Sequence, residues 1–324
     1  MKGISVNIMV VLFSFCMQGC IREDIMPCKD SVLSLRYRYT LNNRYENLFG
    51  ADVSEIELYV FDESGRYLGL FSEAGDVLTN DYVMSVPLPE GNYQIVVYGG
   101  GLNMFSAGAV GSGADPFGGL VKGVTEIGDF RMMLDNAEGD AGYVVPQAVP
   151  DDLFAGYEGN AVSSFDTGKV TDVDLMKNTK NIIVRITGTE LFAHVPFVPD
   201  IYITSANGRY KFENSIDEAY RIFKYVPFQI TTKAGKLEAN LRMMRLVIGN
   251  RSMITVKNPL TSEPIYNLDM IEKIRLNPKY SSQEDIDRED TFVFDINITD
   301  NDHGIIVSLS INGWEINEVV PALN

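Results

Sequence analysis

The chain has 324 residues, 45% of them hydrophobic, with 27 Lys and Arg against 44 Asp and Glu for a formal net charge of −17. That length suggests about two domains with real cores. The acidic balance excludes nucleic acid as a partner and a basic patch as a membrane contact, because both need a Lys and Arg surplus.

The three cysteines, Cys16, Cys20 and Cys28, all fall in the first 28 residues. The body therefore has no disulfide framework and no cysteine metal site. His194 and His303, the only histidines, are too far apart in sequence to suggest paired catalysis. At the N-terminus, Met1-Lys2 precedes an apolar run from Ile4 to Phe15. One charge and about a dozen apolar residues make a secretory signal, too short for a bilayer that needs ~20. The run closes on Met17-Gln18-Gly19-Cys20, which resembles a bacterial lipobox. The expectation is a signal peptide over 1–19, cleavage between Gly19 and Cys20, and acylation of Cys20. Several acyl chains anchor durably where one is marginal. Residues 20–30 then read as a lipidated tether, and ten extended residues reach ~33 Å.

The body opens with Val32–Tyr39, a partly alternating strand. Glu55–Phe61 places Ile56, Leu58 and Val60 on one face, and Asp62-Glu63-Ser64-Gly65 turns it into a returning strand from Arg66 to Phe71. Tyr82–Leu88 and Asn92–Tyr98 flank the turn Pro89-Glu90-Gly91. Residues 99–120 are Gly-rich and predict a loop; sheet resumes over Val121–Leu134; residues 135–163 predict the irregular approach to a domain boundary. Further strands are expected at Lys169–Leu175, Asn181–Thr187, Leu237–Leu246 and Ser252–Lys257. Asp200–Ser205 and Arg209–Phe212 flank Ala206-Asn207-Gly208, and Asn-Gly predicts a hairpin. Leu268, Ile271 and Ile274 recur at helical spacing, so Leu268–Leu276 is the one expected helix. Thr291–Ile298 and Ile305–Ile311 flank Asp300-Asn301-Asp302-His303-Gly304, and a last strand holds the sole tryptophan, Trp314. The fold class expected is all-β: two β-sandwich domains in tandem, over 31–160 and 161–324, with one or two short helices. No repeat of solenoid or propeller length is visible.

Motifs that carry chemistry are weak. Asp300–Gly304 lacks the ligand spacing and distal Glu of an EF-hand, so a hairpin turn is the better reading. The acids Asp285, Asp287, Glu289 and Asp290, broken by Arg288, read as a solvated loop. Gly99-Gly100-Gly101 and the glycines at 108, 111 and 113 have no following helix or Lys to cradle phosphate. No Gly-x-Ser-x-Gly elbow occurs. Trp314 reads as a core or edge residue of the last strand rather than a sugar platform. No enzyme, metal or cofactor is expected.

Certain pieces are familiar together: Cys20-Ile21-Arg22-Glu23-Asp24 with the later Cys28, Glu57-Leu58-Tyr59-Val60-Phe61-Asp62, Leu88-Pro89-Glu90-Gly91-Asn92-Tyr93, Asp152-Leu153-Phe154, Val173–Ile182, Asn207–Asn214, Asp287–Asp290 and Asn312-Gly313-Trp314. In order and spacing they resemble the FimB-like anchor and accessory subunits of Bacteroidales-type fimbriae. Tyr98 departs from the family, which often has Trp there. The resemblance implies transthyretin-like domains, lipid attachment to the outer membrane with surface exposure, and partners among fimbrial shaft and accessory subunits. Shaft subunits of this group polymerise by strand addition. The short end Pro321-Ala322-Leu323-Asn324 leads us to expect a subunit that does not donate a C-terminal strand but accepts its neighbour's, or docks beside its neighbour. The resemblance also raises proteolysis at Arg36, Arg38 or Arg44, disfavoured because the body must stay joined to Cys20. The alternative is a surface glycan-binding lipoprotein.

Overall fold

Alternating apolar residues in the sequence become five β-sheets in the computed structural model, which describes residues 31–111, 117–165, 168–188, 198–233, 235–301 and 304–316. The first sheet holds β1 (Val32–Arg38), β4 (Val83–Pro87) and β12 (Thr171–Asp174), in the order β12-β1-β4. The second holds β2 (Glu55–Asp62), β3 (Tyr67–Ala74), β5 (Gly91–Gly100), β11 (Leu153–Ser163) and β13 (Met176–Lys177), in the order β13-β11-β5-β2-β3. Ile56, Leu58 and Val60 face Leu33, Leu35, Tyr37 and Val86 in one buried cluster, as their spacing predicts. Each fully buried aliphatic side chain there stabilises the fold by about 1.5–3 kcal/mol.

The β2–β3 hairpin also stands. Gly65 takes a φ of 84°, and Asp62 accepts from Ser64 Oγ at 2.6 Å and Arg66 N at 2.9 Å. A left-handed turn residue favours glycine because it lacks a Cβ. The other face of this five-stranded sheet is buried too. Tyr59 meets the Phe130 ring edge-on at 5.0 Å, and Tyr98 stacks on it at 6.2 Å. Phe130 belongs to a four-stranded sheet of β6 (Phe105–Val110), β7 (Phe117–Gly118), β8 (Phe130–Leu134) and β16 (Arg209–Lys211).

Two six-stranded sheets draw mainly on the second half. One runs β21-β20-β15-β17-β10-β9, from β9 (Asn136–Glu138), β10 (Val144–Pro146), β15 (Asp200–Ser205), β17 (Phe223–Tyr225), β20 (Ser252–Lys257) and β21 (Pro264–Asp269). Its partner runs β18-β19-β14-β22-β23-β24, from β14 (Thr179–Thr187), β18 (Gln229–Lys233), β19 (Lys236–Met244), β22 (Thr291–Asn301), β23 (Gly304–Ile311) and β24 (Trp314–Ile316). Ile203, Ile254, Phe223, Val184, Leu241 and Phe294 share the core between them. Among the described residues the α-helices are three and short: α1 (Phe49–Asp52), α2 (Met270–Ile274) and α3 (Gln283–Arg288).

Pairing crosses between the halves in both directions. β12 and β13 complete the first two sheets, while β9 and β10 join the sheet built on β15 and β17. Strand β16 lies against β8, with Tyr210 opposite Met132. One buried cluster therefore runs from Tyr59 and Tyr98 through Phe130 and Tyr210 to Leu241 and Phe294.

Five readings are corrected. Asn207-Gly208 makes no hairpin, since β15 pairs with β17 and β20 while β16 pairs with β8. The Asn207 side chain is buried, donating to the carbonyls of Met244 at 2.9 Å and Arg245 at 3.0 Å and accepting from Tyr225 Oη at 2.8 Å. The pair thus carries the chain between sheets, and Gly208 is required because a Cβ would sit 2.1 Å from the Phe223 ring. Residues 99–120 contain β6 and β7 rather than only loop. Residues 135–163 hold β9, β10 and the eleven-residue β11. The acids at 285–290 are not a solvated loop. Asp285 and Asp287 lie in α3, opened by a capping box between Ser282 and Asp285, with Asp287 buried, and Glu289 and Asp290 follow its end. The expected Leu268–Leu276 helix is shorter, because Pro264–Asp269 extends as β21 and Asp269 caps α2.

Candidate functional site

Strand β18 is the most exposed strand of its sheet: all five residues, Gln229 to Lys233, lie open, and it pairs only with β19 at the sheet margin. The β18–β19 connection is tight, with Lys233 opposite Lys236 and Gly235 at a φ of 72°. Register fixes which face each side chain takes, since cross-strand partners share a face. Ile230 sits opposite Ala239 and Thr232 opposite Leu237, and both Ala239 and Leu237 are core residues. Ile230 therefore points to the core side of the sheet, yet it is 43% exposed. Val226 and Phe228 continue the two-residue spacing upstream and are 55% and 52% exposed. The sandwich is uncovered along this flank.

Beside Val226 and Phe228 lie the end of β10 and the segment that follows it. Val145, Pro146, Val149 and Pro150 join Tyr225, Pro227, Phe228 and Arg242 around a cleft of about 260 Å³. Prolines 146, 150 and 227 lack N–H donors and cannot close the gap with a ladder of their own. An edge strand with free backbone groups beside an apolar cleft is a template for an added strand.

The cleft has a firm base. Arg242 pairs with Asp152, which also accepts from Thr179 Oγ1 at 2.9 Å and lies 3.2 Å from Lys177 Nζ. Burial pushes the Asp152 carboxyl up, but Lys177 and Arg242 outweigh it and hold it below its ordinary value. Asn178 and Asn214 exchange amide hydrogen bonds at 2.6 and 3.1 Å. Nearby, Lys180 is buried with its Nζ donating to the carbonyls of Asp287 at 2.7 Å and Glu289 at 2.6 Å. Helix α3 closes the joint with the first half: Arg288 donates to the Thr40 carbonyl at 3.1 Å and lies 4.7 Å over the Tyr45 ring.

The residues singled out from sequence fall elsewhere. Gly19 and Cys20 lie outside the described residues, as do Cys16, Cys28, His194 and His303. Arg36 and Arg38 sit in β1 and both engage Asp172, while Arg44 lies on an exposed turn. β22 and β23 pair antiparallel around the Asp300–Gly304 stretch. Trp314 is an exposed residue of edge strand β24, across the sheet from β18. Among the described residues no three His, Cys, Asp or Glu side chains group to hold a metal ion. The β18 flank was not singled out from sequence, although the alternation Val226, Phe228, Ile230 was the signal that marks it.

The family model of fimbrillin-A associated anchor proteins Mfa1 and Mfa2 matches residues 26–320. The chain belongs to this anchor-protein family. Solved structures share the fold of the family member described here. The fimbrial anchor protein Mfa2 from Porphyromonas gingivalis is 16% identical with a TM-score of 0.69, covering 88% of this chain and 98% of that one. A candidate adhesin from Bacteroides thetaiotaomicron is 23% identical at TM-score 0.69, covering 89% and 98%. A candidate polysaccharide-binding protein from the same species is 20% identical at TM-score 0.72, covering 89% and 98%. No curated protein matches the chain in sequence.

Proposed function

We propose that this anchor-family protein is a fimbrial anchor or accessory subunit, tethered to the outer membrane by acyl chains on Cys20 after cleavage behind Gly19, and that it holds a strand-exchanged fimbrial shaft at the β18 flank. It does so as a structural subunit, without catalysis. The observation that carries the reading is the core-facing but uncovered row Val226, Phe228, Ile230 on an edge strand, in a chain whose family consists of fimbrial anchor proteins.

The occupant is an extended segment of another fimbrial subunit, with apolar side chains at alternate positions. Alternate side chains of a strand are about 6.6 Å apart, the spacing the exposed row presents. Lys233 and Lys236 make no ion pair among the described residues, so an acidic residue at the end of the incoming strand completes the fit.

The test is recovery of the full chain from outer membranes and a probe for co-purifying shaft protein. Wild type is expected to bring shaft protein with it. Phe228→Asp with Ile230→Asp is expected to keep the thermal midpoint and lose the shaft, and deletion of 321–324 to keep it. Cys20→Ser is expected to free the chain from the membrane. Full shaft recovery by the double variant would overturn the flank as the docking place, and membrane retention of Cys20→Ser would overturn the tether.

A further inference from the structure

The outward face of the sheet built on β15 and β20 carries two adjoining hollows that the anchor role does not use. One, of about 450 Å³, is lined by Gly249, Asn250, Arg251, Asp269, Arg275 and Leu276 among others. The second, of about 420 Å³, is lined by Tyr143, Thr204, Asn250, Arg251, Thr255 and Asn267 among others. Asn250 and Arg251 belong to both, so the two form one groove.

The donors of this groove are largely uncommitted. The Arg251 side chain is 76% exposed, and its Nε reaches Asp269 only at 3.9 Å, with its one hydrogen bond among the described residues to Met253 Sδ at 3.2 Å. Arg275 makes no side-chain ion pair or hydrogen bond among the described residues. The carboxylates beside them are already engaged. Asp269 caps α2 through the amides of Ile271 and Glu272, and Glu272 holds Lys273 Nζ at 3.1 Å. Asn250 is nearly buried and fixed from behind, its amide 3.4 Å from Ser205 Oγ, which in turn bonds Ser252 Oγ at 2.9 Å.

We propose that this groove binds an acidic oligosaccharide, a uronate-containing glycan, with Arg251 and Arg275 on its carboxylates and Asn250, Asn267, Thr204, Thr255 and Tyr143 along its hydroxyls. The guanidinium fork matches a carboxylate in a way a lysine does not. Amides and hydroxyls beside one amphipathic ring suit a sugar's mixed surface. A peptide fits less well. β15 and β20 are interior strands with both neighbours in place, so the face offers no free backbone ladder.

Isothermal titration of the full chain in detergent against an oligogalacturonate tests this, beside its fully methyl-esterified form and an oligoglutamate. Saturable binding of the oligogalacturonate is expected, with the ester about tenfold weaker. Arg251→Ala and Arg275→Ala are each expected to weaken binding about tenfold without moving the thermal midpoint. Absent saturable binding, equal affinity for the ester, equal affinity for oligoglutamate, or full affinity in the double arginine variant would each overturn the assignment. None of these outcomes bears on shaft capture at β18, which lies on the other sheet.

Discussion

Asp287→Ala removes the centre of the polar joint under α3. The Asp287 side chain is 2% exposed and receives both Arg245 Nε at 2.7 Å and Nη2 at 2.6 Å, a fork-to-fork pair, plus Gln283 Nε2 at 3.0 Å. Truncation leaves the buried Arg245 guanidinium with one remaining acceptor among the described residues, the Asn214 main-chain carbonyl at 3.3 Å. Orphaning one member of a buried pair costs about 3–5 kcal/mol, a large share of a total stability of about 5–15 kcal/mol. Urea unfolding followed by far-ultraviolet circular dichroism should show the midpoint falling by about 1 M or more with an unchanged slope. Arg245→Met combined with Asp287→Leu should recover most of the loss, because no charge is then stranded. The same lesion should speed tryptic cleavage at Arg44, since Arg288, the next residue of α3, holds the loop at Thr40 and Tyr45. A loss under about 1 kcal/mol, with trypsin sensitivity unchanged, would mean that Arg245 regains water freely and that α3 clasps nothing.

Three further outcomes follow from buried polar groups. Asn207→Ala should cost about 2–4 kcal/mol in a denaturant melt, because it orphans two buried carbonyls and a tyrosine hydroxyl at once. Burial lowers Lys180 to about 8 from 10.5. The unfolded chain then keeps a proton that the folded chain has lost, so stability should climb from pH 8 to 10 by an amount on the order of 3 kcal/mol at most, and Lys180→Met should abolish the climb in pH-resolved melts. The Asp217 carboxyl is pushed up by burial but held lower overall by Arg131 and Arg209. Its stabilisation is present above the ordinary carboxylate range and lost as pH falls through it, so thermal midpoints should drop with acid and Asp217→Asn should flatten that drop.

How legible the fold was depended on whether a residue's reason was local. Ile56, Leu58 and Val60 announce β2 because one face of the strand meets one core, and Asp62–Gly65 announces its turn by its own hydrogen bonds. Strands β6 and β11 hid behind glycine. Gly108 reads as loop, but a Cβ there would meet the Gly118 carbonyl at 2.6 Å and the Phe117 ring at 2.7 Å. Gly156 likewise lies under Leu175 and the Asp174 carbonyl at 2.8 and 2.9 Å. These glycines mark close approach between segments, a cause that composition cannot separate from flexibility. Asn207 misled for the same reason: its partners at 225, 244 and 245 are tertiary. The acids of α3 looked solvated because Arg245 lies 42 residues away in the sequence and only folding brings it to Asp287. At the candidate site the alternation was visible, but its exposure depends on the opposing sheet stopping short.

The crossed pairing bears on the anchor reading directly. A load entering at the β18 flank and leaving toward the N-terminus must pass from one half of the chain to the other. If the halves met only through a linker, the load would fall on a few backbone bonds and a polar contact that opens easily, as most inter-domain contacts do. Here the first half supplies β9 and β10 to the second half's sheet, the second half supplies β16 beside β8, and Phe130 and Tyr210 sit in a core common to both. Separating them means breaking ladder hydrogen bonds and exposing that core together, with Arg288 and Asp287 reinforcing the seam. The halves should therefore unfold in a single transition, and two resolved transitions in calorimetry of the full chain would show that the shared sheets do not couple them.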